Sequence, residues 1–339
     1  MAGTQHRTPY KNLSPEVILQ ATERLGERCD GRLLALNSFE NRVYQVGLEG
    51  GGALVVKFYR KGRWSRDAIL EEHLFTQQLA DLEIPVVAPL ADSRDETLHT
   101  WRGFRYALYP NCGGRAPDLE NHDHLERLGL ALGRIHALGA TRSFVARPTL
   151  DVESFGEEPH RFLMDSKFIP LDLRTIYDTL IKELLQRIRR CFALAGGVRL
   201  IRLHGDCHSG NILWTERGPL FVDFDDARMG PAIQDLWMCL SGDRDEQGTQ
   251  LAALLRGYRK FHDFNPREVH LIEALRTLRM IHYAAWIARR WDDPAFPRAF
   301  PWFDAPRYWD NHILSLREQV LLMQEPPLEW NPMAYRGDY

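Results

Sequence analysis

Several features are missing from this 339-residue chain, and each absence narrows what it can be. No run of about 18 apolar residues occurs, and Met1 to Lys11 is polar without an apolar stretch, so neither a membrane span nor a secretory signal is expected, and the expected address is cytoplasmic. Cysteine is sparse. The five residues Cys29, Cys112, Cys191, Cys207 and Cys239 are odd in number and contain no C-x-x-C, which fits reduced thiols better than a disulfide frame or a zinc site. Charge of one sign is lacking too: the net charge of -3 argues against an obligate nucleic-acid or anionic-membrane partner. Neither an internal repeat nor a low-complexity tract interrupts the chain.

What remains is ordinary globular material, 44% hydrophobic and 26% charged, long enough for two lobes. Ser14-Pro15-Glu16 reads as a helix start, with Ser14 as N-cap and Val17, Ile18, Ala21 and Leu25 on the apolar face. Val43–Val46 and Ala53–Tyr59 read as strands around a Leu48–Gly52 turn, with Lys57 as a cation on an otherwise apolar strand. Trp64 to Leu82 has helical periodicity and carries Glu71 and Glu72, either of which is placed to pair with Lys57. Strands at Val86–Pro89 and Phe104–Pro110 complete a mainly antiparallel small lobe, and Asn111-Cys112-Gly113-Gly114 follows as a hinge. Beyond it the pattern turns helical: Leu125 to Leu138, closed by Gly139 as a C-cap, then Leu171 to Leu194, Asp235 to Trp291 with interruptions, and His312 to Met323. The expected division is 1–108, a hinge at 109–114, and 115–339, in an α+β fold with a small antiparallel sheet and a larger helical part.

Between the second and third helical regions lies the densest chemistry, Arg202-Leu203-His204-Gly205-Asp206-Cys207-His208-Ser209-Gly210-Asn211-Ile212-Leu213. A strand should precede it, and a hairpin turning at Glu216–Pro219 should follow, returning Val222-Asp223-Phe224-Asp225-Asp226 toward the loop. Asn211 and Asp223 are twelve positions apart, which suits one hairpin out and back. Phosphoryl transfer from ATP needs a base near the nucleophile, oxygen ligands for Mg²⁺ and a fixed cation on the phosphates. Asp206 suits the first task, Asn211 and Asp223 the second as hard oxygen donors, and Lys57, steadied by Glu72, the third. His204 and His208 read as loop framework rather than a metal pair, and Cys207 as a packed residue rather than a nucleophile.

The run His204–Asn211 followed by Val222–Ala227 resembles the aminoglycoside phosphotransferase and choline kinase branch of the protein-kinase-like fold, and the resemblance spans nearly the whole chain. Within that branch, Asn37–Tyr44, Val55–Arg60, Gln234–Met238 and Arg289–Pro297 are similar to the bacterial stress response kinase A family. That resemblance implies a bilobal kinase fold and an ATP- and Mg²⁺-dependent Ser/Thr protein kinase that acts in stress protection and also phosphorylates itself. It implies Asp206 as catalytic base, Asn211 and Asp223 as catalytic magnesium ligands, Lys57 and Glu72 at ATP, and Asp235 as a brace of the loop. Leu108 to Asn111, including Tyr109, is the implied adenine hinge, and Ser38 to Asn41, including Ser38 and Glu40, the phosphate loop, here without a protein kinase's usual glycines. The implied partner is a protein bearing Ser or Thr, itself included, with no nucleic acid or membrane, and the chain is expected to be a monomer. The loop does not decide the acceptor, because His208 stands where many protein kinases have lysine. A small-molecule kinase for an amino alcohol stays open, since Tyr283, Trp286, Trp291, Trp302, Tyr308 and Trp309 could cage a cation. A catalytically silent nucleotide-binding scaffold is the third reading.

Overall fold

The computed structural model describes residues 9–330. In chain order its elements are α1 (Pro15–Glu23), β1 (Cys29–Ala35), β2 (Arg42–Leu48), β3 (Ala53–Phe58), α2 (Arg66–Asp81), β4 (His99–Trp101) and β5 (Phe104–Pro110). Then come α3 (His122–Gly139), α4 (Glu158–Asp165), α5 (Arg174–Ala195), β6 (Ile201–Leu203), β7 (Ile212–Thr215), β8 (Gly218–Phe221) and β9 (Arg228–Gly230). The chain closes with α6 (Ile233–Trp237), α7 (Arg244–Tyr258), α8 (Ile272–Ala288), α9 (Ala295–Ala299) and α10 (Pro306–Leu322).

Contacts divide these elements into two compact units. The first takes the described residues up to Pro117, together with Phe144–Arg147 and Gly210–Ala227; the second takes Asp118–Ser143, Pro148–Ser209 and the described residues from Arg228 onward. Each has its own reason to hold together.

In the first unit a five-stranded antiparallel sheet runs in the order β1-β2-β3-β5-β4. Its core comprises Val46, Val56, Phe58, Tyr106 and Leu108 against Ile18 and Ala21 of α1, whose first turn is capped by Ser14 as the Ser-Pro-Glu signal requires. The expected strand at Val86–Pro89 is a single bridge, Val86 to Phe221. Pro85 and Pro89 bracket it and lack amide donors, so a ladder cannot extend through them. The hairpin β7–β8, closed by Glu216 and Arg217, is stitched into this unit at both arms. The Phe221 amide donates to the Pro85 carbonyl at 2.9 Å, and the Arg115 amide donates to the Trp214 carbonyl at 3.1 Å.

The second unit is helical. α3 lies against α7 at backbone contact: a methyl on Gly129 would stand 1.8 Å from the Leu254 carbonyl oxygen, and one on Gly257 would stand 1.9 Å from that of Glu126. Gly139 differs from its expected role as a C-cap. It is the last residue of α3, Ala140 caps the helix in right-handed geometry, and a Cβ at 139 would meet the Arg202 carbonyl oxygen at 2.3 Å. Position 139 is therefore glycine so that the strand leading into the Asp206 loop can approach the helix. The proline-rich segment after Trp291 contains the short helix α9. Among the described residues no helix is long and apolar enough to cross a membrane.

Candidate active site

The predicted residues fall into two groups, one in each unit. In the first, Lys57 on β3 is 5% exposed, and its ammonium lies 2.8 Å from Asp223 and 3.2 Å from Asp225. Burial opposes a charge there, yet the carboxylates of Asp223 and Asp225 hold the ammonium well above its ordinary pKa. Asp225 is buried. Burial pulls its carboxyl upward, but Arg63 and then Lys57 outweigh this and keep it at about 2. Arg63 extends the chain of charges, reaching Glu40 at 3.1 Å, Asp225 at 3.0 Å and Asp226 at 2.9 Å.

Asp223 follows β8 with φ 57° and ψ 68°, a left-handed backbone that few side chains adopt and that marks strain held by its surroundings. The pairing of Ile212 with Phe221 places Asn211 and Asp223 at the open end of the hairpin, where the Val222 amide donates to the Asn211 carbonyl at 3.0 Å. Asp223 keeps 45% of its side chain exposed, so this carboxylate faces solvent while still paired to Lys57. A fixed ammonium beside an exposed hard oxygen donor can serve a phosphate oxygen and a divalent cation together.

Glu71 and Glu72 have separate tasks. Glu71 accepts three consecutive amides, from Val145 at 2.7 Å, Ala146 at 2.8 Å and Arg147 at 3.0 Å, and so anchors that segment. Glu72 is buried, and its ion pair is with Arg147 at 3.4 Å rather than with Lys57. Burial raises the Glu72 carboxyl to about 7, against the pull of Lys57 and then Arg147. Arg147 is the residue that spacing could not find. Its guanidinium donates to the Ala68 carbonyl at 2.9 Å and to those of Asp225 and Ala227, each at 2.8 Å, tying α2 to the turn after Asp223.

The implied phosphate-loop and hinge residues are also occupied. Ser38 donates to the Asn41 carbonyl at 3.2 Å. Glu40, 8% exposed, turns its carboxylate onto Arg60 at 2.9 Å and onto Arg63. Tyr109, at the end of β5, sets its hydroxyl 2.9 Å from that of Tyr59, and burial raises it far above the usual phenol range.

In the second unit the His204–Ser209 loop is held from behind by Asp235 at the start of α6. One Asp235 oxygen accepts the His204 amide and the other the Gly205 amide, both at 2.8 Å. His136 sets Nε2 3.0 Å from the same carboxylate and Nδ1 2.8 Å from the Tyr258 hydroxyl. All of this is buried, so the brace is rigid, and Gly205 at φ 86° makes the turn that lets both amides point the same way. His204 is itself fully buried, and its Nδ1 accepts the Asp206 amide at 3.3 Å, which makes it loop framework. Cys207 is buried, with a thiol raised well above its ordinary pKa by its partner Cys239 and by burial; it packs rather than reacts.

Asp206 emerges from this frame with its side chain 23% exposed. One oxygen is paired with Arg279 of α8, and the other lies 3.5 Å from His208 Nε2. Nothing in the local sequence around Asp206 points to Arg279, which arrives from 73 residues away.

The chain is 44% identical over 328 residues to stress response kinase A of Escherichia coli, covering 96% of this chain and 98% of that one. It is 44% identical over 324 residues to a Salmonella typhimurium protein named serine/threonine protein kinase RdoA, with the same coverage. Among solved structures, amicoumacin kinase in complex with AMP-PNP, Ca²⁺ and its ligand superimposes with a TM-score of 0.71 at 18% identity, over 94% of this chain and 96% of that one, and so shares the fold. The family model for the phosphotransferase enzyme family matches residues 32–272. With the hairpin and the braced loop inside that match, the chain belongs to the phosphotransferase enzyme family.

Proposed function

We propose that this kinase transfers the γ-phosphoryl group of ATP, with Mg²⁺, to Ser or Thr hydroxyls of proteins, its own included, in protection against stress. The observation that carries the reading is the buried Lys57 ammonium held against the exposed Asp223 carboxylate, the arrangement that a nucleotide's phosphates and their cation need. Lys57 binds the phosphates. Asn211 and Asp223 fit a divalent cation, because both present hard oxygen donors and Asp223 is held, strained and solvent-facing, in place for it. Mg²⁺ supplies neutralisation of the charge on the transferred group. Asp206, five residues before Asn211 in the same loop, orients the acceptor hydroxyl and takes its proton.

Support for a protein acceptor comes from the near full-length similarity to the relative named serine/threonine protein kinase RdoA, and from the aromatics that would otherwise build a cation cage. Trp309 is fully buried, Tyr283 stacks on Trp286 with ring planes 16° apart, and Arg290 already lies 5.2 Å from the centre of the Trp286 ring. These rings pack on one another and on the protein's own arginine. The test is label transfer from radiolabelled Mg-ATP, followed by mass spectrometry of the products. Phosphoserine or phosphothreonine on protein, lost on the order of a hundredfold or more in Asp206→Ala, is the expected result. Wild-type rates in that variant, or label on a small amino alcohol alone, would overturn the reading.

A further inference from the structure

We infer that Arg279 selects the acceptor by holding an anionic group beside the phosphorylated hydroxyl, so that the preferred substrate is a Ser or Thr flanked by Asp or Glu. The inference rests on the protein-kinase reading above and names the substrate class of the same site.

Two nitrogen-bearing side chains face Asp206 in its own unit. One oxygen meets the Arg279 guanidinium and the other lies 3.5 Å from His208 Nε2, so the Arg279 guanidinium is the fixed positive charge on the carboxylate. Arg279 differs from its neighbours on α8. Arg276, one turn earlier, is taken by Glu273 at 3.4 Å and by Gln247 at 3.3 Å, and it lies 5.3 Å from the centre of the Trp237 ring. Tyr283, one turn later, is 39% exposed and carries no charge to compete. The ion pair of Arg279 is therefore made with the proposed base itself, and its side chain stays 38% exposed.

A guanidinium has five N–H donors in a planar fork, and a single carboxylate oxygen leaves most of them unused. When an acceptor hydroxyl takes its place on Asp206, Arg279 must share or give up that oxygen. An acceptor that brings its own carboxylate replaces the lost partner with a like one and gains a charge-assisted fork at the same moment. An acceptor that brings an ammonium meets Arg279 with nothing in exchange, so the same residue attracts acidic flanks and discourages basic ones.

The test uses the full-length protein, Mg-ATP and two single-serine peptides that differ only in their flanks, Asp/Glu against Lys/Arg. In the wild type the acidic peptide should have the lower KM, by about tenfold, as expected for one well-placed ion pair. Arg279→Gln should abolish the preference mainly through KM, Arg279→Glu should reverse it, and Arg279→Lys should retain part of it. A residue with a merely structural role would lower the rates on both peptides equally and leave their ratio untouched, which would overturn the inference. Equal use of the two peptides by the wild type would overturn it as well while leaving the protein-kinase reading standing. Failure to label any peptide or the protein itself, with turnover on a small alcohol instead, would overturn both.

Discussion

Lys57 and Asp223 lie 166 residues apart in the chain and 2.8 Å apart in space, and Asp225, two residues further on, shares the same ammonium from the buried side. The two carboxylates should therefore separate function from stability. Asp223→Asn should cost about 1 kcal/mol or less, because Asp225 still pairs with Lys57, the lost carboxylate is nearly half in solvent and asparagine tolerates the left-handed backbone, while phosphoryl transfer should fall on the order of a hundredfold. Asp225→Asn should instead cost about 3 kcal/mol, since it leaves Lys57 and Arg63 buried with a partner missing. Urea unfolding beside a label-transfer assay reads both; matched effects in the two variants would count against this division.

The loop brace makes a second prediction. Asp235→Asn turns an acceptor of two amides into a side chain with one oxygen and one amino group, so either the His204 or the Gly205 amide faces a donor. A loss of about 2–4 kcal/mol is expected, together with weaker label transfer through a displaced loop. Thermal unfolding that matched the wild type would show that the brace is dispensable.

Glu268 offers a pH dependence with a defined sign. It is buried, its carboxylate accepts the Ile233 amide at 2.9 Å at the start of α6, and burial raises its pKa from the usual 4.5 to about 7. Between those values the folded protein binds the proton that the unfolded chain has released, so stability must fall as pH rises through that window and stay lower above it. Glu268→Gln can still accept the amide but has no proton to lose. Relative to this variant, the wild type should lose about 1–3 kcal/mol between pH 5 and 8. Urea midpoints of the two proteins that ran parallel across the range would contradict this.

Glu71 should act on one segment alone. Glu71→Ala removes the acceptor for the Val145, Ala146 and Arg147 amides, and a cost of about 1–3 kcal/mol is expected. Hydrogen exchange should accelerate at those three amides first, before the β3 and β5 ladders respond; uniform acceleration would mean that Glu71 supports the whole unit instead.

The sequence by itself determined the elements and the short-range chemistry. Ser14-Pro15, the alternation from Val43 to Tyr59 and the helical periods of α2, α3 and α5 are local signals, since capping and side-chain periodicity act over a few residues. The run His204–Asn211, with Asp223 one hairpin later, was legible for the same reason: a hairpin fixes its own register. The tertiary structure decided what long-range approach alone can decide. It split Glu71 from Glu72 by bringing residues 144–147 to α2, gave Lys57 two carboxylate partners, and set Arg279 on Asp206. It also made Gly139 a point of backbone contact rather than a cap, and it grouped the hairpin after Gly210 with the sheet, because the bonding partners of that hairpin, Pro85 and Arg115, lie far earlier in the chain than Phe221 and Trp214.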